Sequence, residues 1–558
     1  MKLSTLIEHS LAGDPQIRGK AVSLTGLSAE PDFDPEIQAL DDDSRSLNAN
    51  TIFVATEQAM PYLERVLRAA PEHQPAAILL SESLRDRTDA QSDAGSPRRI
   101  FTNDLLAAQG RMASALLGNP SDDLHIVGVT GTNGKTSVTR MLGAIWQGLG
   151  VPAATVGTRG VEWRDARGQS HSLRTGYTTP RAPQLQALLA KLRDDGVTHA
   201  ALEVSSEALA LGRLAGTRFA QAAFTNLSVD HLDYHGTLEQ YYLAKRQLFE
   251  MTARQGGRFV IALVDETGQR LAREFAPGGE CADLMSSAEQ TIETVAAPEI
   301  TDLPAPTVFN QWNASLAARL AINSARARNQ SETAGRADRN QIKALLREHP
   351  PIPGRFVRIR SGSPASADPR LEGVVDYAHT PDALENVLGE ARALNCDWLV
   401  CVVGCGGDRD ASKRAAMGAI AAELSDCVIV CDDNPRSEDP DSIRAEILRG
   451  AQEALAGRLE QAELAASNLA VLESIGDRRA AIRRAVALAV EALAAHPIPA
   501  DRRAIVRVAG KGHEEFQIFA DRRVPFSDTD ELRAAFADYR EHIEHTQGQA
   551  ELEAANDE

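Results

Sequence analysis

An apolar run that ends at a glycine turn and restarts as a helix opened by lysine constrains this chain more than any other feature. Leu124-His125-Ile126-Val127-Gly128-Val129 reads as a buried strand, Thr130-Gly131-Thr132-Asn133-Gly134-Lys135-Thr136-Ser137 follows as the turn, and Val138, Met141, Leu142, Ile145, Trp146 and Leu149 then recur at helical spacing. Gly131 and Gly134 let the backbone bend until successive N–H groups converge on one anion. Lys135 then reaches the outer phosphates, the Thr136 hydroxyl is placed for magnesium, and the positive end of the helix adds its field. The strict pattern wants glycine at 129, where this chain has Val129 with Gly128 before it, so the turn is a variant P-loop. A strand-to-helix turn without a ligand is the competing reading.

The 558 residues suggest three or four domains. A net charge of −19 argues against a nucleic-acid backbone as main partner, while a local basic pocket for a small anion stays possible. The six cysteines contain no C-x-x-C pair and several lie in apolar runs, which predicts buried thiols rather than a zinc knuckle. No charged-then-apolar leader opens the sequence and no run of 18 apolar residues occurs, so a cytoplasmic protein with no membrane partner is expected.

Residues 1–115 carry short apolar runs, Thr51 to Ala55 and Ala76 to Leu80, between polar turns, and predict a small α/β domain; Asp43-Ser44-Arg45 ahead of the first run reads either as a turn that meets an anionic ligand or as a solvated turn. Arg85 to Arg99 reads as an exposed loop. In 116–349, Ala200-Ala201-Leu202-Glu203 sets an acid at the end of an apolar strand. Burying that carboxylate is costly unless it is paired or binds a metal, and the P-loop upstream favours the metal over an ion pair. A further strand, Ala222 to Asn226, runs into Asp230-His231-Leu232-Asp233-Tyr234-His235-Gly236, which is either turn chemistry or a metal crown. The stretch from Ala276 to Ala305 has little periodic signal, and a helix begins near Phe309-Asn310-Gln311-Trp312-Asn313, with the asparagines able to cap it or read a base.

After a proline break at 349–355 one arrangement repeats. Four apolar strands run into polar, glycine-rich loops: Gly373 to Val375 into Asp376, Trp398 to Val403 into Gly404 to Asp410, Cys427 to Val430 into Asp432 to Arg436, and Ala504 to Ala509 into Gly510 to Glu514. Doubly wound sheets bind ligands at the carboxyl ends of their strands, so four such loops predict one shared crevice in 350–545. Residues 546–558 read as an acidic tail.

Gly-Thr-Asn-Gly-Lys-Thr at 131–136, Thr178-Thr179-Pro180, Glu203-Val204-Ser205-Ser206, Asp230 to Gly236, Asp376-Tyr377-Ala378-His379-Thr380-Pro381-Asp382, Gly404 to Asp410 and Asp433-Asn434-Pro435-Arg436 together resemble the Mur ligases, and among them the members that add meso-diaminopimelate. The resemblance implies an α/β fold in three domains: a small N-terminal α/β domain (1–115) for the UDP-sugar, a central P-loop ATPase-like parallel sheet (116–349) for ATP, and a C-terminal Rossmann-like sheet (350–545) for the amino acid. It implies ATP-dependent amide ligation in peptidoglycan precursor synthesis, by a monomer, of meso-diaminopimelate to UDP-N-acetylmuramoyl-L-alanyl-D-glutamate through an acyl phosphate. By the same resemblance ATP meets residues 131–137 (Gly131, Thr132, Asn133, Gly134, Lys135, Thr136, Ser137), Asn310, Arg355 and Asp376. Magnesium ions are held by Thr136 and Glu203, and by His231 with a carbamylated Lys245, which spacing alone reads as a surface lysine. Ser44, Thr178, Thr179, Ser205 and Arg213 are assigned to the UDP-dipeptide. Arg409, Asp433, Asn434, Pro435, Arg436, Gly510 and Glu514 are assigned to diaminopimelate, with Arg436 gripping its far carboxylate.

Two departures from the family pattern bear on substrate contacts. Glu207 and Leu211 stand where histidine and glutamine are usual, and Thr56-Glu57-Gln58-Ala59-Met60 replaces an Asp-Gly segment. An L-lysine-adding sibling, a folylpolyglutamate synthase and a non-ligating ATP-binding regulator are the competing functions.

Overall fold

The computed structural model describes residues 1–11, 34–41, 44–45, 47–56, 59–70, 73–85, 97–285, 290–304, 307–327, 339–361, 368, 370–460, 471–495 and 502–539. Asp43, Glu57, Gln58, most of the 85–99 loop and the acidic tail lie outside them. The chain forms two compact units: Met1–Leu227 with Glu239–Ile300 and Trp312–Leu346, and Ser228–Leu238 with Thr301–Gln311 and Arg347–Glu558. The second unit thus draws in two segments from inside the 116–349 range.

The first unit contains two sheets. The smaller has four parallel strands in sequence order, Ala39–Asp41, Thr51–Val54, Ala77–Ser81 and Arg98–Thr102. Both of its faces are covered: Ile52, Val54, Leu79 and Ile100 pack with Leu3, Leu6 and Met112, while Phe53, Ile78, Leu80 and Phe101 pack with Leu63 and Val66. A sheet buried on both sides needs continuous apolar strands rather than alternating ones, which is the pattern at 51–55 and 76–80. The end of the predicted 85–99 loop is instead strand: Arg98 and Arg99 open the fourth strand, and Arg99 is buried.

The larger sheet has eight strands in the order Ile292–Val295, Arg258–Ala262, Gln221–Phe224, His125–Thr130, His199–Glu203, Ala153–Gly157, Gly160–Arg164 and Ser170–Leu173. The first six are parallel and the last two add antiparallel. The P-loop strand lies between Gln221–Phe224 and His199–Glu203, and Gly128 explains its own place there. A β-carbon on it would lie 2.9 Å from both Leu248 and Phe219, so this glycine serves packing while Gly131 and Gly134 shape the turn. The edge strand Ile292–Val295 falls in the stretch with little periodic signal, because only one of its four residues is buried.

The second unit carries a six-stranded sheet in the order Val357–Arg360, Leu371–Asp376, Arg503–Ala509, Cys396–Val403, Cys427–Val430 and Val471–Ser474, all parallel but the first. The four strands singled out in the sequence are four consecutive neighbours here, so their loops leave one carboxyl edge together. All six cysteines are buried and free. The α/β class and its parallel-dominated sheets agree with the expectation.

Candidate functional site

The glycine turn at 131–134 of the first unit is built from glycine geometry and cross-chain support. Gly131 has φ 148° and Gly134 φ 87°, the latter opening the helix Lys135–Gly148. A β-carbon at Gly131 would come within 1.8 Å of the Thr225 hydroxyl, and one at Gly134 within 2.5 Å of Asn313 Oδ1. The end of the Gln221–Phe224 strand holds the turn in shape. Thr225 Oγ1 donates to the Asn133 carbonyl at 2.6 Å, Asn226 Oδ1 accepts from Asn133 N at 3.0 Å, and the Asn226 carbonyl accepts from Thr132 N at 2.9 Å. Lys135 Nζ donates to the carbonyls of Gly131 and Thr132, each at 2.8 Å.

Lys245 corrects the spacing-based reading as a surface lysine. It is buried, its Nζ donates to the Gly131 carbonyl at 2.9 Å, and the ammonium lies 4.2 Å from the Tyr241 ring centre. Tyr241 also meets the turn through its hydroxyl, 3.3 Å from Thr132 Oγ1.

Glu203 is buried at the end of its strand, yet among the described residues it has no cationic partner. Its carboxylate accepts from Thr136 Oγ1 at 2.9 Å, Thr158 Oγ1 at 3.0 Å and Thr158 N at 3.2 Å. The ion-pair alternative therefore falls away within the described chain. An anionic oxygen beside the P-loop hydroxyl is the donor set that hard magnesium favours. No group of three or more His, Cys, Asp or Glu residues is placed to share a metal among the described residues, so such an ion would draw its remaining ligands from phosphate and water.

The dipeptide candidates gather around the same strand end. Thr179 Oγ1 donates to the Glu203 carbonyl at 2.8 Å and accepts from Ser205 N at 3.2 Å. Arg213 Nη1 donates to the Thr179 carbonyl at 3.2 Å, and Thr178 Oγ1 lies 3.1 Å from Thr158 Oγ1. Ser205 caps the short helix Ser206–Ala210, which presents the half-buried Glu207. Ser44 lies in a half-buried turn ahead of the Thr51–Val54 strand and makes no hydrogen bond to the other candidates among the described residues.

In the second unit, Asp376 is buried and its Oδ2 accepts from Phe356 N at 2.7 Å, while Arg355 stacks 4.5 Å over the Tyr377 ring. Asn310 is buried in the first turn of the helix Val308–Ala327. Thr307 rather than an asparagine offers its hydroxyl to that first turn, accepting from Asn310 N at 3.3 Å. His231 has φ 54°, and its Nε2 lies 3.4 Å from the buried Asp230, which also faces Lys413 at 3.5 Å. Burial, aided by the Lys413 ammonium, pushes His379 down to about 4.

Of the amino-acid candidates, Asp433, Asn434 and Glu514 are joined through bonds to one another or to Lys511, while Arg409 and Arg436 bond to backbone carbonyls. Asn434 Nδ2 donates to Glu514 Oε2 at 2.7 Å, and a β-carbon at Gly510, φ 119°, would lie 2.9 Å from Asp433 Oδ2. Arg436 is half-buried, and its Nη1 donates to the Gly407 carbonyl at 2.6 Å. Among the described residues no carboxylate lies within ion-pair distance of it. Pro435 is buried between these residues, whereas Arg409 is exposed and donates to the Asp408 carbonyl at 3.0 Å.

Sequence reasoning passed over Lys511. This lysine is fully buried and its Nζ sits 2.9 Å from Asn434 Oδ1, 2.8 Å from Glu514 Oε2 and 3.4 Å from Asp433 Oδ1. Its spacing of three from Glu514 was the available signal. Thr158 carried none, since its role depends on a strand 45 residues away.

The chain matches the family model of the Mur ligase middle domain over residues 129–313 and that of the Mur ligase glutamate ligase domain over 354–512. It is 38% identical over 453 residues to the UDP-N-acetylmuramoyl-L-alanyl-D-glutamate--2,6-diaminopimelate ligase of Thermosynechococcus vestitus, covering 78% of this chain and 81% of that one. With the protein of the same name from Corynebacterium glutamicum the identity is 35%, over 96% and 97% of the two chains. A solved structure titled as a ligase of that name aligns over 90% of this chain and 95% of its own, at 29% identity and TM-score 0.55. A folylpolyglutamate synthase from Mycobacterium tuberculosis shares the fold at 18% identity and TM-score 0.52, covering 72% and 92%. The chain belongs to the Mur ligase family.

Proposed function

We propose that this chain is an ATP-dependent ligase that joins meso-diaminopimelate to UDP-N-acetylmuramoyl-L-alanyl-D-glutamate, acting as a cytoplasmic monomer in peptidoglycan precursor synthesis. The γ-phosphoryl group passes from ATP to the free D-glutamyl carboxylate, giving an acyl phosphate and ADP. The amine of diaminopimelate attacks the acyl carbon, the amide bond forms, inorganic phosphate leaves and the nitrogen gives up a proton. Phosphoryl transfer asks a protein chiefly for positioning and for neutralising crowded negative charge. In this reading the amides of residues 131–137 and Lys135 cradle the phosphates, while Asn310, Arg355 and Asp376 surround the nucleoside. Thr136 and Glu203 would hold one magnesium ion, and His231 and a carbamylated Lys245 would be ligands for magnesium; bound there, the metal would supply positive charge against the transferring group. Ser44, Thr178, Thr179, Ser205 and Arg213 orient the UDP-dipeptide, with 1–115 as the UDP-sugar domain, 116–349 as the ATP domain and 350–545 as the amino-acid domain.

The observation that carries the choice of amine is the Arg436 guanidinium. It is half-buried, bonded to a single carbonyl, and follows Asp433 and Asn434 in one loop, where the Asp433 carboxylate, like that of Glu514, meets Lys511. Carboxylates suit the ammonium groups of a diamine, and an open guanidinium fork suits the extra carboxylate that separates diaminopimelate from lysine. Relatives named for this reaction align over nearly the whole chain, which supports the same reading. The test is amine-dependent phosphate release with ATP, magnesium and the UDP-dipeptide. Release with diaminopimelate and little with L-lysine is expected. Preference for lysine would assign the chain to the sibling activity, and release indifferent to every amine would favour the non-ligating regulator.

A further inference from the structure

Arg436 has its backbone in the left-handed region, at φ 54°, and Asp408 on the neighbouring loop has φ 51°. Side chains with a β-carbon resist this conformation, and it persists where surrounding contacts fix it. The two loops, 404–410 and 432–438, are fastened residue by residue. Asp408 accepts from Ser437 twice, Oδ1 from the hydroxyl at 2.6 Å and Oδ2 from the backbone N–H at 3.1 Å. Gly407 N donates to the Asn434 carbonyl at 2.9 Å, and a β-carbon on Gly407 would fall 1.9 Å from the Pro435 carbonyl oxygen. Arg436 N donates to the Ile518 carbonyl at 3.0 Å. Beneath them Arg414, almost fully buried, gives Nη2 to both Glu438 oxygens at 2.9 and 2.8 Å, and Glu438 in turn accepts from Asp408 N.

The effect on Arg436 is specific. Its Nη1 is taken by the Gly407 carbonyl, and among the described residues neither Nε nor Nη2 donates to the protein. A free arginine chain samples many rotamers and must order on binding a carboxylate, which weakens the contact. Here the ordering is done before the ligand arrives, leaving one edge of the fork open.

We infer that Asp408 is a positioning residue for substrate selection: through its clasp on Ser437, backed by the Arg414–Glu438 pair, it fixes Arg436 to receive the distal carboxylate of the incoming diamino diacid. This rests on the amino-acid reading given above. The test measures kcat and KM of the full chain for diaminopimelate and L-lysine, together with KM for ATP and the UDP-dipeptide, in Arg436→Met, Asp408→Ala, Asp408→Asn and Ser437→Ala. Asp408→Ala is expected to raise KM for diaminopimelate about tenfold while kcat/KM for lysine and KM for ATP hold, so selectivity falls. Asp408→Asn, which still accepts from Ser437, should recover most of the loss, and Ser437→Ala should move in the same direction by less. If Arg436→Met raises KM for diaminopimelate while Asp408→Ala leaves it within about twofold, or weakens both amines alike, the positioning role is wrong and the amino-acid reading survives. If Arg436→Met itself changes nothing, the amino-acid reading fails and the positioning role with it.

Discussion

At the scale of single residues, the molecule treats three ionisable groups differently, two buried and one, His379, half-buried. Glu203 is surrounded by donors but no described cation, so its charge is available to a ligand. Glu203→Gln keeps the shape and should cut amide formation by about 100-fold or more while the melting temperature holds or rises, as read by product assay and thermal unfolding. Arg507 lies fully buried with its guanidinium 4.4 Å from the Phe356 ring, and its three nitrogens lack a hydrogen-bond partner among the described residues. Burial lowers its pKa to about 10. A cation so poorly compensated costs stability, so Arg507→Leu is expected to stabilise the fold by about 1–2 kcal/mol, seen as a higher denaturation midpoint. His379 is held neutral, depressed from its ordinary 6.5 to about 4. The unfolded chain binds a proton in that window and the folded chain does not. The stability it contributes is therefore complete above pH 6.5 and is lost as pH falls toward 4, and His379→Gln should flatten the stability–pH curve there.

At the scale of elements, the carboxyl ends of parallel strands are where most of the candidate residues stand, and small residues decide whether the strands can meet there. A β-carbon on Gly157 would lie 2.0 Å from Glu203 Oε1. Gly157→Ala should push that carboxylate aside and lower kcat by about 100-fold with the fold intact by circular dichroism. The helix Arg478–Ala495 is pinned to the sheet and to residues 528–539 by a fully buried fork: Arg478 donates to both Asp528 oxygens, at 2.7 and 2.8 Å, and to the Ala509 carbonyl at 2.8 Å. Asp528→Ala strands that guanidinium and should cost about 3–5 kcal/mol in chemical denaturation. These elements differed in how plainly the sequence announced them. The P-loop and the four strand-to-loop junctions were legible because glycine, lysine and apolar runs act locally, within a few residues of one another. Lys245 was not, since the carbonyl it meets lies 114 residues away and helical spacing says nothing of it. The left-handed backbone of Arg436 and the burial of Lys511 likewise follow from loops that only the sheet order brings side by side.

At the scale of the whole molecule, each unit carries a parallel-dominated sheet whose strand ends present a different chemistry. The first has a glycine turn with a carboxylate and two lysines; the second has a guanidinium on a carbonyl and a lysine paired with carboxylates. Membership of the Mur ligase family makes the chain an ATP-dependent ligase that forms amide bonds. The most direct test is mass spectrometry of the product formed by the purified chain with ATP, magnesium, UDP-N-acetylmuramoyl-L-alanyl-D-glutamate and meso-diaminopimelate. The account predicts a UDP-tripeptide heavier than the dipeptide by one diaminopimelate less one water, with ADP and phosphate in equal amounts. Hydrolysis of ATP with the dipeptide unchanged, or a tripeptide formed only when lysine replaces diaminopimelate, would contradict it.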